Sequence, residues 1–297
     1  MSMPDCKNPF CLESINLPAQ FFGRGSETQQ ALSFLHRLQC VSIVGQEKIG
    51  KTSFLFHVAH LDIRTQRRLA EEPVFVYLDS HSLAGLTEGE CYIHAREDII
   101  SRVKHTPATQ DVGVRLEKMV REASLQTAYF GLRTLLRSAR DLGLKLIIML
   151  DHLDVLDQND HLGEAFFSAL RSLHTNYEVA YLVASRSPID TLERICPDGP
   201  SSPFFNIFHK IPIGPLTNEE SRQLVLTVPG LAGAEFPDFI VDCILELGHG
   251  EPHRLQRAGH RAFQAWQQNQ DGLLQEHCEE IRRRFEEWRP EMGLRIA

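Results

Sequence analysis

The chain has 297 residues, of which 42% are hydrophobic and 24% charged, and its formal net charge is −8. This composition excludes a disordered chain, and the negative charge disfavours a dedicated nucleic-acid binder, which usually carries a basic excess. No apolar run is long enough to span a bilayer, and the N-terminal residues lack the apolar segment of a signal peptide. Together with an odd number of cysteines, seven, these features predict a cytoplasmic protein with no membrane partner.

The first predicted strand, residues 41–44, leads directly into a complete GxxxxGK[ST] phosphate loop. Such a loop turns successive backbone N–H groups inward, and the following helix, predicted over 52–60, adds the positive end of its dipole. Lys51 would reach the β- and γ-phosphates, and the Thr52 hydroxyl would hold Mg²⁺. The residues predicted to bind the nucleotide here are Gly45, Gln46, Glu47, Lys48, Ile49, Gly50, Lys51, Thr52 and Ser53.

Strand-like and helix-like segments alternate over the first two thirds of the chain. The predicted strands cover 41–44, 74–79, 144–150, 179–184 and 210–213, and further helices are predicted over 123–140 and 161–174. From residue 217 onward only helical patterns remain, at 217–226, 238–247, 252–267 and 272–288, and Thr217 with Glu220 forms a capping signature at the first of them. This order predicts an α/β core with a five-stranded parallel sheet covered by helices, followed by a smaller all-helical lid domain. The predicted domains are an N-terminal extension over 1–20, a P-loop NTPase core over 21–214 and a lid over 215–297.

The third predicted strand ends in an aspartate, Asp151, as a Walker B segment does. An acidic residue at this point, about a hundred residues after a phosphate loop, is expected to hold Mg²⁺ together with Thr52. Asp154 is a candidate general base, with a helix N-cap as the interpretation we favour. His152 follows Asp151 at the position where many ATPases have a glutamate that orients water. Because a neutral histidine accepts a proton only weakly here, we expect slow hydrolysis.

An ordered series of segments resembles the motifs of the STAND NTPases, signal-transduction ATPases of the wider AAA+ group. The series comprises Phe22-Gly23-Arg24, the phosphate loop, the Walker B segment, Ser185-Arg186, the IGPL segment at 213–216 followed by NEE, and GHGEP at 248–252. The resemblance covers residues 20–265 and is closest to the small prokaryotic branch of the group. It implies ATP or ADP as the nucleotide, and the chain has no guanine-reading NKxD segment after the Walker B strand.

The resemblance also implies roles for residues outside the loop. Phe22, Gly23 and Arg24 match a segment that lines the adenine, although Gly25 replaces the usual glutamate. Arg186 matches a position that senses the γ-phosphate, and pairing with a carboxylate is its alternative role. The remaining implied nucleotide contacts are Pro215, which an ordinary strand-to-helix turn would also explain, Pro252, and Arg254 together with His253 as lid sensors. The predicted catalytic residues are then Lys51, Asp151, Asp154 and Arg186, with Thr52 and Asp151 at the metal.

These features predict an ATP-binding molecular switch with slow Mg²⁺-dependent hydrolysis. Its nucleotide state would control self-assembly into homo-oligomers or docking of a separate effector or sensor protein. One alternative is an AAA+-type DNA-associated ATPase, a loader or transposition regulator that assembles on nucleic acid. Another is a nucleotide-binding scaffold that has lost hydrolysis.

Overall fold

A computed structural model describes residues 7–66, 73–122, 127–192, 204–269 and 273–287. The described residues form two compact units. The sheet unit contains those within 25–47 and 54–213, and the helical unit contains those within 7–24, 48–53 and 214–287. Among the helices of these ranges, none combines the length and the apolar character needed to cross a membrane.

The sheet unit is built on five parallel strands in the order β2-β3-β4-β1-β5. The strands are β1 (Cys40–Val44), β2 (Val74–Asp79), β3 (Leu146–Asp151), β4 (Val179–Ser185) and β5 (Phe208–Pro212). Every residue of β1, β3 and β4 is buried, which explains their continuous apolar sequences. The predicted α/β fold class with a five-stranded parallel sheet is confirmed. Its five strands begin and end within two residues of the predicted positions.

Helices connect the strands of the sheet unit. They are α1 (Gly25–Leu35), α2 (Lys51–Ala59), α3 (Leu61–Gln66), α4 (Glu88–His105), α5 (Gln110–Glu122), α6 (Ala128–Asp141), α7 (Leu153–Asp157) and α8 (Glu164–Asn176). The sequence analysis missed α1, α3, α4, α5 and α7. The helix predicted over 123–140 corresponds to α6, and residues 123–126 lie outside the described part. The helix predicted from 161 begins at Glu164, because the Asn159 side chain accepts the N–H of His161 in a turn.

The helical unit contains α9 (Asn218–Gly230), α10 (Asp238–Gly248), α11 (Pro252–Gln268) and α12 (Glu276–Glu286). Thr217 caps α9 as predicted, because its hydroxyl accepts the Glu220 N–H while the Glu220 carboxylate accepts the Thr217 N–H. Helix α9 extends beyond its predicted end at 226, because buried Val228 continues the apolar face to which Val225 belongs. The helix predicted over 272–288 corresponds to α12, which is shorter at both ends. Positions 272 and 288 lie outside the described residues.

The described residues of the N-terminal segment pack on α11. Phe10 is 3% exposed and belongs to the core of the helical unit. Its ring lies over Gly259, where a Cβ atom would overlap the ring. The Cys11 N–H donates to Gln256 Oε1 at 3.0 Å, and the Ile15 N–H donates to Ser53 Oγ at 3.0 Å. The segment therefore contributes an aromatic side chain to the core of this unit and a hydrogen bond to the first turn of α2.

Candidate nucleotide site

The phosphate loop joins the end of β1 to the start of α2. The Gly45 N–H donates to Ser185 O at 3.3 Å, which fixes the loop's first residue against the end of β4. Lys48 and Gly50 have positive φ angles of 61° and 95°, and conformations of this kind turn consecutive N–H groups toward one anion. Lys51 and Thr52 are the first residues of α2, where the helix dipole is positive. The strand, loop and helix that the motif requires are therefore all present.

The Arg24 side chain ties three segments of the helical unit together. It is 4% exposed, and its Nη2 donates to Ile49 O at 3.0 Å and to Gly214 O at 2.6 Å. Its backbone N–H donates to Glu220 Oε1 at 2.9 Å. The guanidinium thus holds a phosphate-loop carbonyl and the carbonyl before Pro215. Sequence reasoning missed this positioning role, since it assigned Arg24 to the adenine.

Two turns implied by the family resemblance pack on each other in the helical unit. The Leu216 N–H donates to Gly250 O at 2.7 Å. A Cβ atom at Gly250 would lie 2.6 Å from Leu216 O and 3.1 Å from Pro215 Cβ, and φ is +75° there, so only glycine fits. Pro252, the first residue of α11, has its Cγ 4.0 Å from the position of a Cβ at Gly50. The structure therefore places Pro215 beside the Gly250 turn and Pro252 beside the phosphate loop.

The first two residues of the Phe22–Arg24 segment pack closely within the helical unit. Phe22 packs against the core of the helical unit. Gly23 has a φ of +73°, and a Cβ atom there would lie 2.7 Å from Glu220 Oε1. This glycine is therefore required by the close approach of the α9 capping carboxylate.

Of the two lid-sensor candidates, His253 is the one near the phosphate loop. Burial lowers the pKa of the His253 imidazole, and the positive charge of Lys48 lowers it further. Arg254 instead donates from Nε to Leu247 O at 3.0 Å, and its guanidinium lies 5.4 Å from the centre of the Phe285 ring. These contacts direct Arg254 to the packing of α10, α11 and α12.

In the sheet unit, Asp151 is fully buried at the carboxyl end of β3. Its Oδ2 accepts the Tyr77 hydroxyl at 3.1 Å, and its Oδ1 accepts the His152 N–H at 3.0 Å. Burial and the nearby carboxylates of Asp151 and Asp79 raise the pKa of Tyr77, so its hydroxyl stays a neutral donor. Both donors fix the orientation of the carboxylate, whose oxygens suit Mg²⁺.

The N-cap interpretation of Asp154 is wrong. His152, with a φ of 56°, is the N-cap of α7, so Asp154 falls in the helix's first turn. Its carboxylate instead accepts the Arg186 N–H at 2.6 Å and the Ser187 N–H at 3.1 Å. Asp154 thus fixes the turn after β4, and this turn positions Arg186. A general-base role stays a prediction, and both of its oxygens already accept hydrogen bonds.

Arg186 pairs with the phosphate loop. Its Nη2 lies 3.1 Å from Glu47 Oε2, and both side chains are 65% exposed. An exposed ion pair of this kind contributes only about 0–1 kcal/mol. The structure therefore places Arg186 beside Glu47 of the loop.

Comparison with known proteins gives a family and a fold. A family model described as Novel STAND NTPase 2 matches residues 119–285.

The Walker-type ATPase of Pyrococcus abyssi is 16% identical, with 93% of this chain and 80% of that chain covered at a TM-score of 0.63. The ORC1 protein of Aeropyrum pernix in complex with DNA is 17% identical over 93% and 67% of the two chains, with a TM-score of 0.57. The ORC2 protein of Aeropyrum pernix, in its ADPNP–ADP complexes, is 13% identical over 95% and 72%, with a TM-score of 0.71. No curated protein sequence matches significantly. At these identities the structural likenesses show a P-loop ATPase fold.

Proposed function

The chain belongs to the Novel STAND NTPase 2 family, and from this premise we propose that it is an ATP-binding molecular switch. The observation that carries the proposal is the phosphate loop between a buried strand and a helix N-terminus, with positive φ angles at Lys48 and Gly50. A loop of this shape directs N–H groups at a phosphate chain. Lys51 neutralises the β- and γ-phosphates.

Thr52 and Asp151 each offer a group whose chemistry suits Mg²⁺. Thr52 supplies a hydroxyl in the first turn of α2, and Asp151 supplies a buried carboxylate with neutral hydrogen-bond donors. These oxygen ligands suit a hard cation. An ion held there would supply positive charge to offset that of the phosphate chain. Tyr77 keeps the Asp151 carboxylate oriented through its hydrogen bond to Oδ2.

We expect hydrolysis to be slow because neither His152 nor Asp154, the two candidates beside Asp151, is well placed to activate water. His152 Nδ1 lies 3.4 Å from Asp79 Oδ1, so its ring is directed toward a carboxylate. The Asp154 carboxylate is engaged with two backbone N–H groups. Slow turnover would prolong the triphosphate state, which is what a switch requires.

The proposed switch element is Arg186. In the structure it pairs with Glu47, and a γ-phosphate offers a stronger, bidentate partner for a guanidinium than an exposed carboxylate does. Only the triphosphate could displace Glu47 in this way, so Arg186 would distinguish ATP from ADP. The output would be homo-oligomerisation or docking of a partner protein.

A DNA-associated ATPase is the second candidate, because the fold is similar to that of the ORC1 protein in complex with DNA. The net charge of −8 counts against it. A salt-dependent shift in electrophoretic mobility with duplex DNA would favour this candidate over the switch.

The proposal is tested with the variant Lys51→Ala. Loss of a charged hydrogen-bond donor should weaken Mg·ATP binding by about 3 kcal/mol, roughly a hundredfold in Kd, as measured by titration calorimetry. Lys210→Ala, at an exposed position of β5, is the matched control and should bind as the wild type does. Phosphate release by the wild type should stay below about one turnover per second. Unchanged affinity in Lys51→Ala would refute the assigned site, and fast turnover would refute the slow switch.

A further inference from the structure

Three side chains to which the proposed function gives no ligand role converge where β2 and β3 end. Asp79 is the last residue of β2, and it pairs in register with Asp151, the last residue of β3. His152 follows Asp151 directly. His81 lies in the turn after β2, where its N–H donates to Asp79 Oδ1 at 3.0 Å. Asp79, His81 and His152 each offer one ligand atom, and these atoms all lie within 4.8 Å of one another.

The distances suit a small metal ion. His152 Nδ1 lies 3.4 Å from Asp79 Oδ1. A tetrahedral ion with bonds of about 2.1 Å requires donor atoms about 3.4 Å apart, so this pair already has the spacing of two ligands. The His81 and His152 rings are 4.8 Å apart and inclined at 52°. Because His81 is exposed, its side chain has room to rotate toward the other two ligand atoms.

An independent observation concerns the His152 nitrogen. Among the described residues, His152 Nδ1 is shielded from water and has no hydrogen-bond partner. The nitrogen has lost its hydration, and the nearby carboxylate oxygens of Asp79 and Asp151 lie 3.4 Å and 3.6 Å from it. The left-handed backbone at His152, with a φ of 56°, holds the ring in this position. A metal ion bound between Asp79 and His152 would give this nitrogen a partner.

We propose that Asp79, His81 and His152 form a binding site for a transition-metal dication of the Zn²⁺ class. Two imidazoles and a carboxylate are typical ligands for such ions, whereas Mg²⁺ prefers oxygen ligands and near-octahedral geometry. His152 Nδ1 also lies 3.6 Å from Asp151 Oδ2, so the site adjoins the carboxylate assigned to Mg²⁺ but uses different ligand atoms. Three protein ligands leave a coordination position for water.

The buried cysteines are weak competitors for this ion. Metal binding requires a thiolate. Burial raises the pKa of Cys40 to about 12 and the pKa values of Cys91 and Cys243 to about 11. Zn²⁺ bound near neutral pH is therefore expected at the histidines rather than at these thiols.

The ion would join two neighbouring strand ends. β2 and β3 contribute Asp79 and His152 respectively, so a bound ion would cross-link the carboxyl ends of both strands. It would also fix the residue that directly follows Asp151. Because the ion binds the folded chain, Zn²⁺ should raise the melting temperature of the protein in a concentration-dependent way.

The test uses the full chain without an affinity tag, stripped of metals and titrated calorimetrically with Zn²⁺. We expect one saturable site with a Kd in the micromolar range or below. His81→Ala should weaken binding at least tenfold, and Co²⁺ should give visible absorption bands in the wild type that this variant lacks. His36→Ala, an exposed histidine in the same unit, is the matched control and should bind Zn²⁺ as the wild type does. Lys51→Ala should also keep the site, so failure of nucleotide binding and failure of metal binding are distinguishable.

Several outcomes would overturn the proposal. The first is the absence of a saturable Zn²⁺ site in the wild type, and the second is an unchanged Zn²⁺ affinity in a folded His81→Ala. The third is that Mg²⁺ competes for the site as strongly as Zn²⁺ binds it. Far-UV circular dichroism checks the fold of each variant. If His81→Ala does not fold, His81→Gln replaces it, because glutamine keeps the polarity at this exposed position.

Discussion

At the scale of single residues, Arg24 joins three segments of the helical unit. A buried guanidinium is stable only when its donors are satisfied, and here two backbone carbonyls, of Ile49 and Gly214, accept from it. Both carbonyls lie in segments that flank the proposed nucleotide site. Removing the side chain would leave them without this donor in a buried environment. The residue thus links the stability of the helical unit to the shape of the phosphate loop.

Arg24→Ala should therefore lower the free energy of unfolding by about 2–4 kcal/mol, as measured by urea denaturation. Arg24→Gly removes the same guanidinium but suits the φ of 58° at this position. It should recover about 1–2 kcal/mol of backbone strain. Arg283→Ala, at an exposed position of α12, is the control and should change stability by about 0.5 kcal/mol or less. A loss in Arg24→Ala no larger than that of the control would contradict this role.

The predictability of a residue's role depended on how far along the chain its partners lie. The capping pair of Thr217 and Glu220 is local, and the structure confirms it. The partners of Asp154 lie 32 and 33 residues further on, so the expectation of an N-cap was wrong. Arg24 reaches carbonyls 25 and 190 residues away. Nothing in the neighbouring sequence signals contacts of that range.

At the scale of elements, the start of α9 couples a helix cap to the Phe22–Arg24 segment. The Glu220 carboxylate accepts the N–H groups of Thr217 and Arg24, each at 2.9 Å. Burial alone would raise the pKa of the Glu220 carboxyl, but these hydrogen bonds lower it. When folding lowers the pKa of a carboxyl, the group adds to the free energy of unfolding at pH values above its pKa in the unfolded chain, about 4.3. That contribution is lost as the pH falls through the lower folded pKa.

Glu220→Gln should accordingly destabilise the protein by about 1 kcal/mol at pH 7. The difference from the wild type should shrink as the pH falls below about 4, because the wild-type carboxyl is then protonated. Thermal unfolding from pH 7 to pH 3 measures this. Glu219→Gln, an exposed neighbour in the same helical turn, is the control. Its melting temperature should change with pH in parallel with that of the wild type. A constant difference for Glu220→Gln at every pH would show that its charge is not involved.

Elements with a continuous apolar sequence were predictable, and those with a narrow apolar stripe were not. Every position of β3 and β4 is buried, so their sequences differ sharply from their surroundings. In α4, the buried residues Tyr92 and Ile99 are separated by a segment that contains three consecutive charged residues, 96–98. In α5, the exposed residues Val114 and Met119, at 53% and 42%, interrupt the helical period set by the buried ones. Tertiary packing selects these helices, so their own patterns are weak.

At the scale of the whole molecule, the proposed switch requires that a γ-phosphate change how copies of the chain associate. Mg·ATP should promote homo-oligomers more than Mg·ADP, because only the triphosphate can draw Arg186 from Glu47. A differential interaction of about 3 kcal/mol shifts a two-state population by roughly a hundredfold. Sedimentation velocity with a nonhydrolysable ATP analogue measures this effect.

Arg186→Ala should still bind the analogue, but its oligomerisation should no longer differ between the ATP-analogue and ADP states. Arg115→Ala, at an exposed position of α5, is the control and should keep it. A monomer in every nucleotide state, with and without candidate partner proteins, would exclude the assembly proposal.

The place of β1 in the sheet determines when the phosphate-loop strand can form during synthesis on the ribosome. β1 pairs with β4 and β5, and the hydrogen bond from the Tyr181 N–H to Cys40 Sγ spans 141 residues. At about 5–20 residues per second, roughly 7–30 s pass between the emergence of the two partners. During that interval an apolar strand with open backbone groups has no native neighbour, which is the situation in which nascent chains associate wrongly or bind chaperones. The phosphate loop is therefore translated early and is anchored late, only after most of the sheet has left the ribosome.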